Sequence, residues 1–188
     1  MDLTEELKRD PHFQMIPLTL QIGDYKVTDD ETFNQKEFLA KVKASPECPK
    51  TACPSPESFK EAFEGEAEYI FVVTLSNHLS GCYNSAALAK RLYEEEHGTD
   101  GKKIAVIDSL SASAGELNIA LFIRDLCEKE LPFEEICRQT EAYRDSMNTY
   151  FVIETLDFLK KNGRLTGLTA FIASALNIKP VMGADSGT

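Results

Sequence analysis

The sequence predicts an α/β protein with a mainly parallel sheet and helices on both faces. Three observations carry that prediction. Strand-like apolar runs alternate with helical patterns of about 10 to 20 residues, the spacing of β-α-β units. The most strand-like run, Tyr69-Ile70-Phe71-Val72-Val73-Thr74-Leu75, leads straight into a helical pattern at Ser85 to Tyr93. A second run, Lys103-Ile104-Ala105-Val106-Ile107-Asp108-Ser109, ends like the first in polar residues and is again followed by a helix. Ligands of such sheets sit at the carboxyl ends of the strands, so Ser76 to Gly81 and Asp108 to Ser113 mark two neighbouring crevices.

Taken in order, residues 4–9 read as a short polar helix and 15–22 as a strand closed by Gly23-Asp24. Pro17 has no amide donor and belongs near the start or on an edge of that strand. Residues 24–30 read as a loop or short hairpin arm. After Thr32, apolar residues at 38, 39 and 42 mark one face of a helix over 33–42. The loop 45–56 holds four of the eight prolines, which stiffen it without a repeating structure. Ser55 caps the next helix, with Pro56 at its first position and an end near Gly65. The strand at 69–75 precedes a helix over 84–96, and the strand at 103–109 precedes a helix from Ser113 to about Lys129. A helix from Pro132 to about Ser146, a strand at 148–153, helices at 156–161 and 169–176, and a strand at 178–182 complete the pattern. There is no internal repeat.

The chain is organised around Ser76-Asn77-His78-Leu79-Ser80-Gly81-Cys82-Tyr83-Asn84-Ser85-Ala86, where strand turns into helix. Such a turn leaves the first helical N–H groups unpaired, with the positive end of the helix dipole behind them. An anionic head group fits there. Ser76, Ser80 and Ser85 offer hydroxyl donors, and Gly81 admits close approach to the backbone. The same residues also serve as a plain helix cap.

Composition removes several classes. With 20 basic and 31 acidic side chains the net charge is −11, which argues against a non-specific nucleic-acid surface. Five cysteines without a C-x-x-C pair, and only three histidines, argue against a structural zinc site. No apolar run approaches the roughly 20 residues that span a bilayer, and the acidic start lacks a signal peptide's basic region. A cytoplasmic protein with reduced thiols is expected. The length suits one α/β domain, or one with part of another.

Other motifs admit two readings each. Cys82 near a helix start, four residues after His78, is a candidate nucleophile with a candidate base, or a packed thiol. Cys127 and Cys137 fall on apolar helical faces and read as core residues. Asp108, at a strand end, suits a cap or a hydrogen bond to the next loop better than a metal. No glycine-rich phosphate fingerprint is present. Arg164, after Lys160, Lys161 and Gly163, offers a planar fork to a carboxylate, or simply complements a helix C-terminus.

Taken together, the pieces resemble the DegV family of bacterial fatty-acid-binding proteins. The resemblance rests on Ile16-Pro17-Leu18, Pro49-Lys50-Thr51-Ala52-Cys53-Pro54-Ser55, Leu79-Ser80-Gly81-Cys82-Tyr83-Asn84-Ser85-Ala86, Asp108-Ser109 with Ser113 and Gly115, Gly163-Arg164-Leu165 and Ile178-Lys179-Pro180, in the family's order. It implies a lipid-binding carrier, not an enzyme, that holds a long-chain fatty acid by its carboxylate and presents it to a fatty acid kinase for phospholipid synthesis. No other cofactor and no metal is implied. The carboxylate's hydroxyl ligands fall on Thr51 and Ser80, with Gly81 beside them and Arg164 supporting the head group.

This sequence departs from the family pattern at Ala52 and Cys53, where Ser and Gln are frequent, and at Cys82, where Thr is frequent, which implies different head-group hydrogen bonds. The resemblance also implies that residues 1–188 are the family's N-terminal α/β domain, without its first strand and its C-terminal domain, the start of the second domain falling from about 165. The absent part would supply a histidine for the carboxylate and much of the acyl tunnel. Two readings compete with the carrier: a small-molecule enzyme using Cys82 and His78, and a fragment that binds nothing.

Overall fold

The computed structural model describes residues 3–152, 181–184 and 187. Arg164, the helices expected at 156–161 and 169–176 and most of the strand expected at 178–182 lie outside the described residues. In chain order the elements are α1 (Glu5–Lys8), β1 (Thr19–Ile22), β2 (Tyr25–Thr28), α2 (Gln35–Ala44), β3 (Lys50–Ala52), α3 (Pro56–Ala62), β4 (Tyr69–Thr74), α4 (Cys82–His97), β5 (Lys103–Asp108), α5 (Ala114–Glu128), α6 (Phe133–Ser146), β6 (Thr149–Phe151) and β7 (Met182–Ala184). They fall into two compact units. The first comprises Met1–Ile16, Pro54–Thr149 and Ala184–Thr188, and the second Pro17–Cys53 and Tyr150–Gly183.

The first unit is built on the parallel pair β4 and β5, in register from Tyr69 opposite Lys103 to Thr74 opposite Asp108. Successive strand residues point to opposite faces, and here both faces are covered. Ile70, Val72, Ile104 and Val106 pack on one side against Phe59 and Phe63 at α3 and Ala86, Ala89 and Tyr93 of α4. Phe71, Val73 and Ile107 pack on the other against Ile119, Ile123 and Leu126 of α5 and Ile136 of α6. Two separate cores therefore explain why the strands read as continuous apolar runs. Ala86, Ala89, Ile119 and Ile136 have no exposed surface, and each fully buried isoleucine is worth about 1.5–3 kcal/mol of transfer free energy.

Local signals set the helix starts. Ser55 Oγ accepts the Ser58 N–H at 3.2 Å, with Pro56 at the first helical position, as the sequence predicts. Thr4 Oγ1 accepts the Leu7 N–H at 3.2 Å. Helix α4 begins at Cys82, two residues earlier than expected, with Gly81 as its N-cap. Helix α2 begins at Gln35, two residues later than expected, because Asn34 caps it, its side-chain oxygen accepting the Glu37 N–H at 3.2 Å.

The second unit holds an antiparallel sheet in the order β2-β1-β3. The α/β class with a parallel pair is as expected; the described sheet content is mixed. A two-residue turn at Gly23-Asp24, with Gly23 at φ 55°, joins β1 to β2. Ile22, Phe38 and Val42 form the core beneath them, with Leu20, Tyr25, Val27 and Phe33 packed around it. Pro17 does precede its strand, but β1 is central rather than an edge, and the ladder starts only at Thr19. Residues 50–52 correct the expectation of an irregular loop: they form an edge strand whose partner, β1, lies about 30 positions back in the chain. β6 and β7 form a two-stranded sheet.

Glu116 sits in the first turn of α5, 9% exposed, and its Oε2 accepts the Ser113 N–H at 2.8 Å. Burial pushes its carboxyl above the ordinary glutamate value, with the Ser113 hydrogen bond opposing. Between the unfolded value near 4.5 and the raised folded value, the folded chain keeps a proton that the unfolded chain has lost. This group's contribution to stability therefore falls as pH rises through that window. Glu116→Gln, which keeps an acceptor for Ser113, gains on the parent chain between pH 4 and pH 7, read as urea midpoints at each pH. Parallel pH profiles for the two proteins would contradict this account.

Candidate functional site

Because β4 and β5 are parallel and in register, the segments that follow them leave the sheet at the same end. Backbone bonds hold those segments together: Ser76 N–H donates to Ser111 O at 2.9 Å, and Ser109 N–H to Thr74 O at 3.1 Å. Asp108, 8% exposed, supplies the bridge between them. Its Oδ1 accepts the Leu110 N–H of its own loop at 3.1 Å and the Asn77 N–H of the other at 3.2 Å. The sequence reading of Asp108 as a hydrogen-bond partner for a loop thus holds, and one carboxylate serves both loops.

Of the three hydroxyls expected to offer donors, the structure leaves one at the mouth of the turn. Ser80 is half-buried; its Oγ accepts the Cys82 N–H at 3.3 Å and lies 3.1 Å from Cys82 Sγ. A thiol sulfur is a weak acceptor, so the Ser80 proton is readily redirected to a stronger one. Ser85 is buried and donates to Pro54 O at 2.7 Å, pinning α4 to the approach to α3. Ser76 is buried and donates to Gly187 O at 2.8 Å. These two hydroxyls build the scaffold and have no proton to spare. Gly81 is exposed and its carbonyl accepts the Ser85 N–H at 3.0 Å. The amides of Tyr83 and Asn84 lie in the first turn of α4, where no helical carbonyl precedes them.

Thr51 stands in the second unit, exposed at the middle of β3 and opposite Leu20 of β1. Arg164 is outside the described residues. The role of Ser76 is the feature that residue-by-residue reading missed, since its partner lies 111 positions along the chain.

A cavity of about 270 Å³ opens beside the β5 loop, lined by Ser109, Leu110, Arg144, Asp145, Met147, Asn148, Thr149 and Ala184. Its lining is mostly polar, and Arg144 is paired there with Asp145 at 2.8 Å. It suits water or a polar group better than an acyl tail. Leu110 adopts φ 50°, a conformation costly for a leucine.

The pair Cys82 and His78 does not assemble as a nucleophile and base. Cys82 is 4% exposed, whereas His78 is exposed, and among the described residues its ring makes no hydrogen bond to that thiol. None of the five cysteines is joined in a disulfide. Cys127 is exposed and Cys137 half-buried, so neither is the core residue that its apolar helical face predicts; partial desolvation of the sulfur pushes both thiols up. Among the described residues no group of three or more His, Cys, Asp or Glu side chains is placed to hold a metal, and no helix is long and apolar enough to cross a membrane.

Removing the Asp108 carboxylate strands two part-buried amides. Asp108→Ala is expected to cost about 1–3 kcal/mol in urea unfolding, and Asp108→Asn, which keeps one side-chain oxygen, clearly less. Equal loss in both variants would contradict a role confined to accepting these two amides.

A family model described as "Uncharacterised protein, DegV family" matches residues 1–188. A DegV domain-containing protein of Streptococcus pneumoniae is 40% identical over 178 residues, covering 94% of this chain and 62% of the relative. The chain thus spans about three-fifths of the curated relatives it matches. Among solved structures, a DegV family protein from Ruminococcus gnavus, refined with vaccenic acid, matches with TM-score 0.94 and 49% identity, over 100% of this chain and 66% of that one. The Fatty Acid Kinase (Fak) B3 protein of Streptococcus pneumoniae, loaded with linoleic acid, matches with TM-score 0.84 and 40% identity, over 92% and 60% respectively. A stearic acid-binding protein from Eubacterium ventriosum matches with TM-score 0.85 and 29% identity, over 99% and 64%. With the family model covering all 188 residues, this chain belongs to the DegV family.

Proposed function

We propose that this chain acts as a fatty acid carrier. It holds a long-chain fatty acid by its carboxylate, without catalysing a reaction on it, and presents that group to a fatty acid kinase for phospholipid synthesis. The observation that carries this reading is the 49%-identical match to a structure refined with vaccenic acid. The match to the Fak B3 protein supports the kinase as partner.

Ser80 and Thr51 donate hydroxyl hydrogen bonds to the carboxylate, Gly81 leaves room for it, and Arg164 assists with a charged donor. The chemistry of the Ser80 turn supports this assignment. A half-buried hydroxyl stands at the start of a 16-residue helix, where the dipole favours an anion. The support for Thr51 and Arg164 is the ordered family resemblance of the segments that contain them. The two cores of the first unit are filled by the protein's own side chains, so the tail is not assigned to them.

A hydrogen bond to a charged group contributes about 1.5–3 kcal/mol, or roughly ten- to a hundredfold in affinity. Ser80→Ala and Thr51→Ala are each expected to weaken binding of cis-parinaric acid by that range, measured by its fluorescence, in proteins that retain cooperative unfolding. A folded double variant that binds as tightly as the parent chain would remove both residues from the site.

A further inference from the structure

We propose that Ser76 is the positioning residue of the Ser80 turn and that Gly187 locks it, so that the ligand contact and the Gly187 contact act together. The proposal rests on the reading of Ser80 as a carboxylate contact. Ser76 has no exposed surface, and every polar group it owns is engaged. Its N–H donates to Ser111 O at 2.9 Å, fastening the turn to the neighbouring loop. Its carbonyl accepts from Leu79 N–H at 2.9 Å and Ser80 N–H at 3.0 Å, which closes the turn. Its hydroxyl oxygen accepts the His78 N–H at 3.3 Å, and its single proton goes to Gly187 O at 2.8 Å.

That last bond decides the role. A serine hydroxyl carries one proton, and this one is spent inside the protein, so Ser76 does not itself bind the head group. It sets the path of residues 78–80 instead. Gly187 fits closely against both loops: at φ 83°, a Cβ added there would lie 2.5 Å from Ser76 Oγ and 3.0 Å from Leu110 Cα. Only glycine accepts that conformation and that approach without strain. Leu110, itself at φ 50°, forms the other wall. The Gly187 carbonyl thus bonds one loop, while any side chain at that position would press on both. Binding at Ser80 and seating of Gly187 are then linked, each favouring the other.

The test uses the 188-residue chain with Ser76→Ala, Gly187→Ala and the double variant. The probes are cis-parinaric acid fluorescence and hydrogen exchange over residues 76–80. Each single variant is expected to weaken binding about tenfold and to speed exchange at His78 to Ser80, and the double variant to be no worse than the weaker single one, as partners in one contact are non-additive. Losses that multiply to about a hundredfold in the double variant would overturn the coupling. Binding within about twofold of the parent, with unchanged exchange at 78–80, would overturn the positioning role. Should the parent chain fail to bind cis-parinaric acid, the carrier reading falls, and exchange alone decides: faster exchange at 78–80 in Gly187→Ala upholds the lock, and unchanged exchange rejects it. If Ser76→Ala does not fold, Gly187→Ala, which keeps the hydroxyl, carries both readouts.

Discussion

The parallel register that sets Thr74 beside Asp108 is the constraint on which the site depends. A parallel pair sends both following loops out at one end, whereas an antiparallel pair would send them to opposite ends. The Asp108 carboxylate then converts proximity into a fixed relation, because one oxygen accepts an amide from each loop. Every further feature of the first unit's site is referred to that junction. The Ser76 bond to Ser111, the closed turn at 76–80 and the start of α4 follow from it.

What keeps the register is burial on both faces of the pair. A one-residue slip between β4 and β5 would place Phe71 and Val73 in the core built for Ile70 and Val72, and the reverse. The two cores differ in shape: alanines of α4 allow close approach on one side, while isoleucines of α5 and α6 fill the other. The surface ion pairs, such as Lys103 with Glu134 at 2.6 Å and Arg124 with Glu6 at 2.9 Å, are exposed on at least one partner and contribute little in water. Packing, not surface charge, keeps the register, and the Asp108 carboxylate then fixes the loops.

How much of this was legible in the sequence depends on how local each cause is. The apolar runs of β4 and β5, the Ser55-Pro56 cap and the Gly23-Asp24 turn act over a few residues, and all are where the sequence places them. β3 was not legible, because an exposed three-residue edge strand in a proline-rich loop has no apolar alternation and is defined by its partner. The fates of the hydroxyls were hidden for the same reason: Ser85 and Ser76 find acceptors 31 and 111 positions away. Identical residue types in one short motif therefore divide into scaffold and candidate ligand contact only once the fold is known. The family resemblance reaches further than local patterns, since it rests on the order of motifs across the chain.

The proposed carrier role requires that this chain take up a fatty acid. Native mass spectrometry of the purified 188-residue chain, followed by denaturing extraction and identification of what is released, tests it most directly. The expected result is one long-chain fatty acid per chain, released intact and unmodified on denaturation. A folded chain that carries none, and takes up none when long-chain fatty acids are supplied in excess, would contradict it.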